Sequence, residues 1–341
     1  MTVIRAKLRS NGISLDIERT RVNISADYSP EPHAVLRRDS EIPAEMGGQR
    51  LDRVLAQLFP DHSRTRLQGW LRDGYVLVDG ARREAKHKLR GGERLSVVEP
   101  EPESLTAELP EDIPLDVIFE DAHILVLDKP PGLVVHPGSG NRSGTLLNAL
   151  LHHAPQLERV PRAGIVHRLD KETGGLMVVA KTPAVQTALV RRLQARDVGR
   201  HYLALVHGVL NTPGRVDAPI GRHPTHRTKM AVVEGGREAR THYAVRERLR
   251  GATLVECRLE TGRTHQIRVH MASIGHPLVG DPVYGRRRSG DSLLDAFSRQ
   301  ALHAFRLALD HPASGESMQW EVGLPQDFAQ LLDALRREAG A

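Results

Sequence analysis

The stretch GIVHRLDKETGGLMVVAKT, residues 164–182, sets one carboxylate, Asp170, beside Arg168 in a turn between two apolar runs. An acid at such an edge can act as a nucleophile, as a general acid or base, or as half of an ion pair. Burial disfavours the charged form, so an ionised acid there needs a cation within reach. A second stretch, ETGRTHQIRVHMASIG, residues 260–275, offers one. Ile267, Met271 and Ile274 recur at i, i+4 and i+7, which predicts a helix that starts after Thr264 as cap and ends at Gly275. Arg263 then stands just outside the helix N-terminus, where free N–H groups and the dipole already favour an anion. Spacing leaves two readings open: Arg263 pairs with Asp170, or Asp170 and Arg168 make only local turn contacts.

Other chemistries fit less well. His265 and His270 are five apart and do not share a helix face as an i, i+4 zinc pair must, and the chain has a single cysteine, Cys257. No metal site is expected. A glycosidase-like carboxylate pair, with Glu172 near Asp170, stays conceivable. No G-x-S-x-G elbow and no Gly-rich nucleotide loop is present.

Several elements must position these groups. From residue 122 on, short apolar runs (Ile124 to Leu127, Leu133 to Val135, Leu176 to Ala180, Tyr202 to Val206, Leu254 to Leu259) alternate with helical segments and Gly/Pro turns. Thr145 can cap a helix using Leu146, Ala149 and Leu150; Thr182 with Pro183 opens another that buries Val185, Ala188, Leu189 and Leu193. Phe328, Leu331, Leu332 and Leu335 mark a C-terminal amphipathic helix. The mixture reads as α+β with a mixed, largely antiparallel sheet.

Charge divides the chain further. Residues 1–49 are net neutral and without periodicity, which predicts a flexible extension; residues 50–98 are net +5; residues 99–121 hold nine acids and no base, an acidic linker and the entry to the next domain; residues 122–341 are net +10. Two basic bodies around an acidic linker, +6 overall, predict a polyanionic partner such as nucleic acid. One cysteine, no N-terminal signal pattern and no apolar run near the roughly 18 residues of a membrane span point to a cytoplasmic protein without a membrane role.

Within 50–98, Leu51, Val54, Leu55 and Leu58 form one helix stopped by Pro60, and Ser63 can cap a second that buries Leu67, Trp70 and Leu71. A strand at Tyr75 to Val78, an Asp79-Gly80 turn and a closing strand near Leu95 to Val98 follow. This unit resembles the S4 RNA-binding domain. The resemblance implies phosphate contacts from Arg64, Arg66, Arg72, Arg82, Arg83, Lys86, Lys88 and Arg90.

From residue 50 onward the motifs LDKPPGLVVHPGSG (127–140), GIVHRLDKETGGLMVVAKT, IGRHPTHRTKMAV (220–232), LETGRTHQIRVHMASIGHPLVGDPVYG (259–285) and RQALHAFRLALDHP (299–312) follow in order. Together they resemble the RluA family of pseudouridine synthases. The resemblance implies isomerisation of uridines in 23S ribosomal RNA, free or in a pre-ribosomal particle, by a monomer. It makes Asp170 the catalytic nucleophile and Tyr202 the catalytic residue that lies against the target base as general base. Arg263 becomes the salt-bridge partner of Asp170, and Arg168 the side chain that fills the gap left by the flipped nucleotide. Lys129 and Pro130 would support the site. Isomerisation has no net redox change, so no cofactor is expected. The alternative is a non-catalytic RNA-binding assembly factor on the same fold. One departure stands out: Gly174 occupies a position where the family carries Ser or Thr, which predicts a missing hydrogen bond in the turn of Asp170.

Overall fold

The computed structural model describes residues 5–8, 37–60, 62, 64–99, 109–138, 141–226, 228–286 and 289–339. Strand β1 (Arg5–Leu8) pairs with a strand of the larger unit described below. The smaller unit holds β2 (Arg37–Glu41), α1 (Leu51–Leu58), α2 (Arg64–Asp73), β3 (Val76–Val78) and β4 (Arg94–Val98), with sheet order β2-β4-β3. Its helices bury the expected stripes, Leu51, Val54 and Leu55 against Leu67, Trp70 and Leu71. Asp79 and Gly80 both take positive φ, as a tight hairpin turn requires. The expected cap Ser63 lies outside the described residues.

One boundary differs from the expectation. The small unit begins before residue 50: β2 pairs with β4 along its whole length, and Ile42 is 1% exposed in the core. The neutral charge of residues 1–49 hid an edge strand, where polar residues are tolerated on the solvent side. Residues 9–36 of the expected extension are outside the described set. Within residues 99–121 the described part from Leu109 on leads into the larger unit. Asn148 Nδ2 donates to Leu109 O, and residues 116–120 form a sheet strand.

An acid sits at the heart of the small unit. Asp52 is fully buried and accepts from Arg50 Nε at 3.0 Å, Arg64 Nη2 at 2.6 Å and Gln68 Nε2 at 3.1 Å. Burial pushes its pKa up, but these hydrogen bonds outweigh it and leave the carboxyl at about 2, below its ordinary 3.8. A depressed folded-state pKa gives stability that is complete above about pH 4 and lost as pH falls toward 2. Denaturant unfolding followed by Trp70 fluorescence in a Trp320→Phe background should show this acid loss, and Asp52→Asn should flatten it.

The larger unit continues with β5 (Asp116–Glu120), β6 (Ile124–Lys129), α3 (Leu146–His153), β7 (Gly174–Ala180), α4 (Pro183–Ala195), β8 (Gly199–His207), β9 (Gly214–Asp217) and a hairpin of β10 (Ile220–Arg222) with β11 (Met230–Val232). Then come β12 (Arg240–Leu249), β13 (Ala252–Leu259), α5 (Gln266–Ser273), α6 (Ser292–Ala296), β14 (Leu302–Asp310), β15 (Ser317–Glu321) and α7 (Gln326–Ala339). The main sheet runs β5-β6-β7-β14-β8-β13-β12-β9, with β15 also on β14 and β1 on β15. Only β7 and β14 pair in parallel among the described strands.

Continuous apolar runs are explained by cover on both faces. Leu125 and Leu127 of β6 enter one core with Met177 and Val179 of β7, while Ile124 and Val126 enter another with Leu176 and Val178. The run Leu133 to Val135 forms only a bridge from Val134 to Thr145. Thr145 caps α3 in a capping box with Asn148, and Thr182 caps α4 ahead of Pro183. Gly175 takes φ 119°, and a Cβ there would collide with the Ala304 backbone, so this glycine lets β7 and β14 approach. That pairing fixes the end of the turn that holds Asp170.

Candidate active site

Asp170 lies in the turn before β7, its backbone O accepting from Thr173 N at 3.0 Å. The turn is held from several sides. Arg299 Nη1 donates to Glu172 O at 3.0 Å, Gln300 Nε2 to Thr173 Oγ1 at 3.1 Å, and Gly132 N to Lys171 O at 2.8 Å. Lys129 is fully buried, and its Nζ caps three carbonyls, those of Pro130, Leu133 and Lys171. Burial draws its pKa down to about 8, against the pull of Glu172 and Asp170. Gly174 therefore leaves no loose turn. A Cβ there would already sit 3.0 Å from Pro131 Cδ, so a hydroxyl-bearing side chain would need local adjustment.

The cation facing Asp170 is Arg268, not Arg263. Arg268 Nη1 donates to Asp170 Oδ2 at 2.9 Å. Its other edge is gripped by Asp281, Nε to Oδ2 at 2.7 Å and Nη2 to Oδ1 at 2.9 Å, and Tyr284 lies against it with its ring centroid 5.1 Å from Cζ. Burial lowers the Arg268 pKa, but hydrogen bonds and charge from Asp281 and Asp170 outweigh it and raise it. Burial likewise raises Asp281, which is brought down by Arg268 and by the N–H groups of Val283 and Tyr284. Arg263 instead sends Nε to Glu238 O at 3.0 Å on the exposed rim. The reason is local: His265, with φ 57°, caps α5 in a left-handed conformation in place of the expected cap Thr264, so the helix starts at Gln266. All of Gln266 to Met271 are buried, so an arginine among them must be paired. That would have been the sequence signal, had the helix been seen as covered on every side.

Two further groups were missed. His265 Nε2 stands 3.8 Å from Asp170 Oδ1, while its Nδ1 meets Tyr284 Oη at 2.9 Å; the same hydroxyl accepts from Met230 N at 2.9 Å in the β10-β11 hairpin. Burial lowers the His265 pKa, which nearby Asp170 opposes. His167 Nε2 accepts from Val178 N at 3.1 Å, and burial pushes its pKa down to about 3, so the ring is neutral.

A cleft of ≈ 600 Å³ opens over these groups, lined by Arg168, Asp170, Tyr202, His265 and Arg268 among others. Arg168 is exposed at this cleft. Tyr202 is 6% exposed on β8, opposite Cys257 of β13, with Ala204 and Val206 on its face. Burial pushes its phenol pKa up, which Arg200 opposes. A paired, shielded carboxylate beside a buried phenol in a base-sized hollow is suited to covalent chemistry on a ring drawn out of a nucleic acid. In the small unit Arg72, Arg82, Arg83, Lys86, Lys88 and Arg90 are exposed. Arg64 pairs with Asp52, and Arg66 lies over Trp70, 5.6 Å from Cζ to the ring centroid. No helix among the described residues is long and apolar enough to cross a membrane.

Comparison with known proteins agrees with this geometry. Residues 123–273 match the family described as RNA pseudouridylate synthase, and residues 49–95 match the S4 domain. The ribosomal large subunit pseudouridine synthase D of Nitrosomonas europaea is 59% identical over 298 residues, spanning 86% of this chain and 87% of that one. The protein of the same name from Pseudomonas aeruginosa is 55% identical over 90% of this chain and 98% of its own length. A solved structure of human RNA pseudouridylate synthase domain containing 4 aligns with a TM-score of 0.52 at 27% identity, covering 65% of this chain and 93% of that one. A shared sequence over most of both chains, on a fold with the same cleft-bearing sheet, places this chain in the RluA family of RNA pseudouridine synthases, with an S4 domain ahead of its catalytic unit.

Proposed function

We propose that this protein isomerises uridines of large-subunit (23S) ribosomal RNA to pseudouridine, with Asp170 as nucleophile and Tyr202 against the target base. The observation that carries the reading is the shielded Asp170 carboxylate, 2.9 Å from the guanidinium of Arg268 at the floor of the cleft. Arg268 holds that charge in place without leaving the ion pair. Arg168, exposed at the cleft, enters the space vacated by the flipped nucleotide. The ribosomal target is supported by the relatives named ribosomal large subunit pseudouridine synthase D, which share more than half of their aligned residues with this chain. Breaking an N-glycosidic bond and making a C–C bond within one nucleotide leaves the redox state unchanged, so the reaction needs neither cofactor nor metal. The protein acts as a cytoplasmic monomer on RNA, free or in a pre-ribosomal particle.

The test is incubation with transcribed large-subunit RNA, followed by pseudouridine mapping and assay for free uracil. Pseudouridine without uracil supports an isomerase. Released uracil points to a hydrolase, and no change in the RNA points to a binding factor.

The S4 unit supplies grip rather than chemistry in this reading. Replacing Arg82, Arg83, Lys86 and Lys88 together by Gln should weaken RNA binding. Each lost phosphate contact should reduce the slope of log K against log salt by about 0.7–0.9. The single-turnover rate at saturating protein should not change.

A further inference from the structure

Among the described residues three arginines are buried: Arg200, Arg268 and Arg299. Arg268 holds two carboxylates, and Arg299 holds Asp327 at 2.7 and 2.8 Å. Arg200 is the exception. Its Nη2 reaches only Glu260 O, at 3.4 Å, its Nε is buried with no partner, and among the described residues no carboxylate lies within ion-pair distance of it. A buried cation without a counter-charge is costly and calls for a ligand.

Its position says which ligand. Arg200 precedes Tyr202 by two residues on β8, so both side chains leave the same face, and both line the cleft that holds Asp170. Space is reserved for it as well. An ideal Cβ on Gly262 would lie 2.7 Å from Arg200 Nη1, and Gly262 has no positive φ to require a glycine for any other reason. At 7% exposure the guanidinium is withdrawn from the surface where RNA phosphates run, whereas Arg168 is exposed there.

Within the pseudouridine synthase reading, the chemistry supplies a buried anion. As Asp170 bonds to C1′, the N1–C1′ bond opens, its electron pair stays on N1 and the charge spreads over N1, O2 and O4 of uracil. The base turns, C5 bonds to C1′ and displaces the Asp170 carboxylate, a proton leaves C5 to a base, and N1 regains a proton, so the product is an isomer. We propose that Arg200 is a further catalytic residue of this reaction, its planar guanidinium holding the negative charge that the detached base carries. Once Asp170 is bonded to C1′, Arg268 remains matched by Asp281, and the negative charge has moved to the base, beside Arg200, which has no carboxylate of its own.

The experiment compares the unaltered protein with Arg200→Gln, Arg200→Lys and Gly262→Ala. It measures single-turnover tritium release from RNA carrying C5-tritiated uridine at saturating protein, with RNA Kd by filter binding and thermal unfolding in parallel. Arg200→Gln should lose roughly 10²–10³-fold in rate, the range for removal of a charge-stabilising donor, with Kd changed by less than about threefold. Arg200→Lys should recover part of the loss. Gly262→Ala keeps every charge but displaces the guanidinium, and should slow the reaction by about tenfold. If Arg200→Gln fails to fold, Gly262→Ala decides by the same criteria. A rate within about threefold of the unaltered protein overturns the proposal, and so does a loss confined to Kd, which would make Arg200 a phosphate contact. If the unaltered protein itself forms no pseudouridine, it is the proposed function that fails.

Discussion

Replacing Asp170 by Asn is expected to abolish isomerisation, by on the order of 10⁴–10⁶-fold as for loss of other catalytic nucleophiles, while RNA binding survives. The geometry explains why the two effects separate. The asparagine amide keeps the shape of the carboxylate and can still accept from Arg268 Nη1, while Arg268 retains its two bonds to Asp281. The variant loses one negative charge from a site where two carboxylates share one guanidinium, so stability should hold. RNA affinity should stay within a few-fold or rise, because a charge repelling phosphates is gone. Tritium release from C5-tritiated uridine gives the rate, and filter binding gives the affinity. Retention of more than about a tenth of the unaltered rate would remove Asp170 from the chemistry.

Arg268→Met is expected to be the most damaging change to the fold. It strands Asp281, whose side chain is fully buried, and Asp170, which is 16% exposed, without their cation. Breaking a buried pair from one side costs about 3–5 kcal/mol, readable as a shift in the denaturant midpoint. Arg268→Lys should not restore activity, since one ammonium cannot make the two-pronged grip on Asp281 together with the third bond to Asp170. The double change Arg268→Met with Asp281→Leu distinguishes scaffolding from positioning. Removing both buried partners should restore most of the stability, yet Asp170 still lacks its cation, so the rate should stay low. Arg263→Ala should leave the rate within a few-fold, because its bond runs to Glu238 O. A large catalytic loss in Arg263→Ala with an active Arg268→Met would reverse the assignment.

Much of this molecule is written in local patterns. The helices starting at Leu51 and Pro183, the strands around Leu176 and Tyr202, and the capping Thr145 all obey short-range rules, period 2 or 3.6 and the chemistry of turn and cap. Asp170 was legible as an acid set between apolar runs and Tyr202 as the head of a strand, but the role of each came from the motifs that resemble the family. Gly174 was read as a missing hydrogen bond, yet Arg299, Gln300 and Lys129 arrive from distant parts of the sequence to hold that turn.

The partner of Asp170 was settled by tertiary structure alone. Arg263 and Arg268 both follow the same strand and lie five residues apart; spacing left Arg263 and purely local turn contacts both open, and the family resemblance pointed to Arg263. The left-handed backbone at His265 leaves Arg263 outside the helix, while Arg268 lies within it. Contact across 98 residues of sequence then depends on how α5 packs against the sheet and on Asp281 anchoring the far edge of the guanidinium. The sequence alone determined that a carboxylate would be set in a turn at the edge of a core. Which arginine keeps it charged was decided only when helix, sheet and loop closed around it, because long-range ion pairing follows from packing that no local pattern encodes.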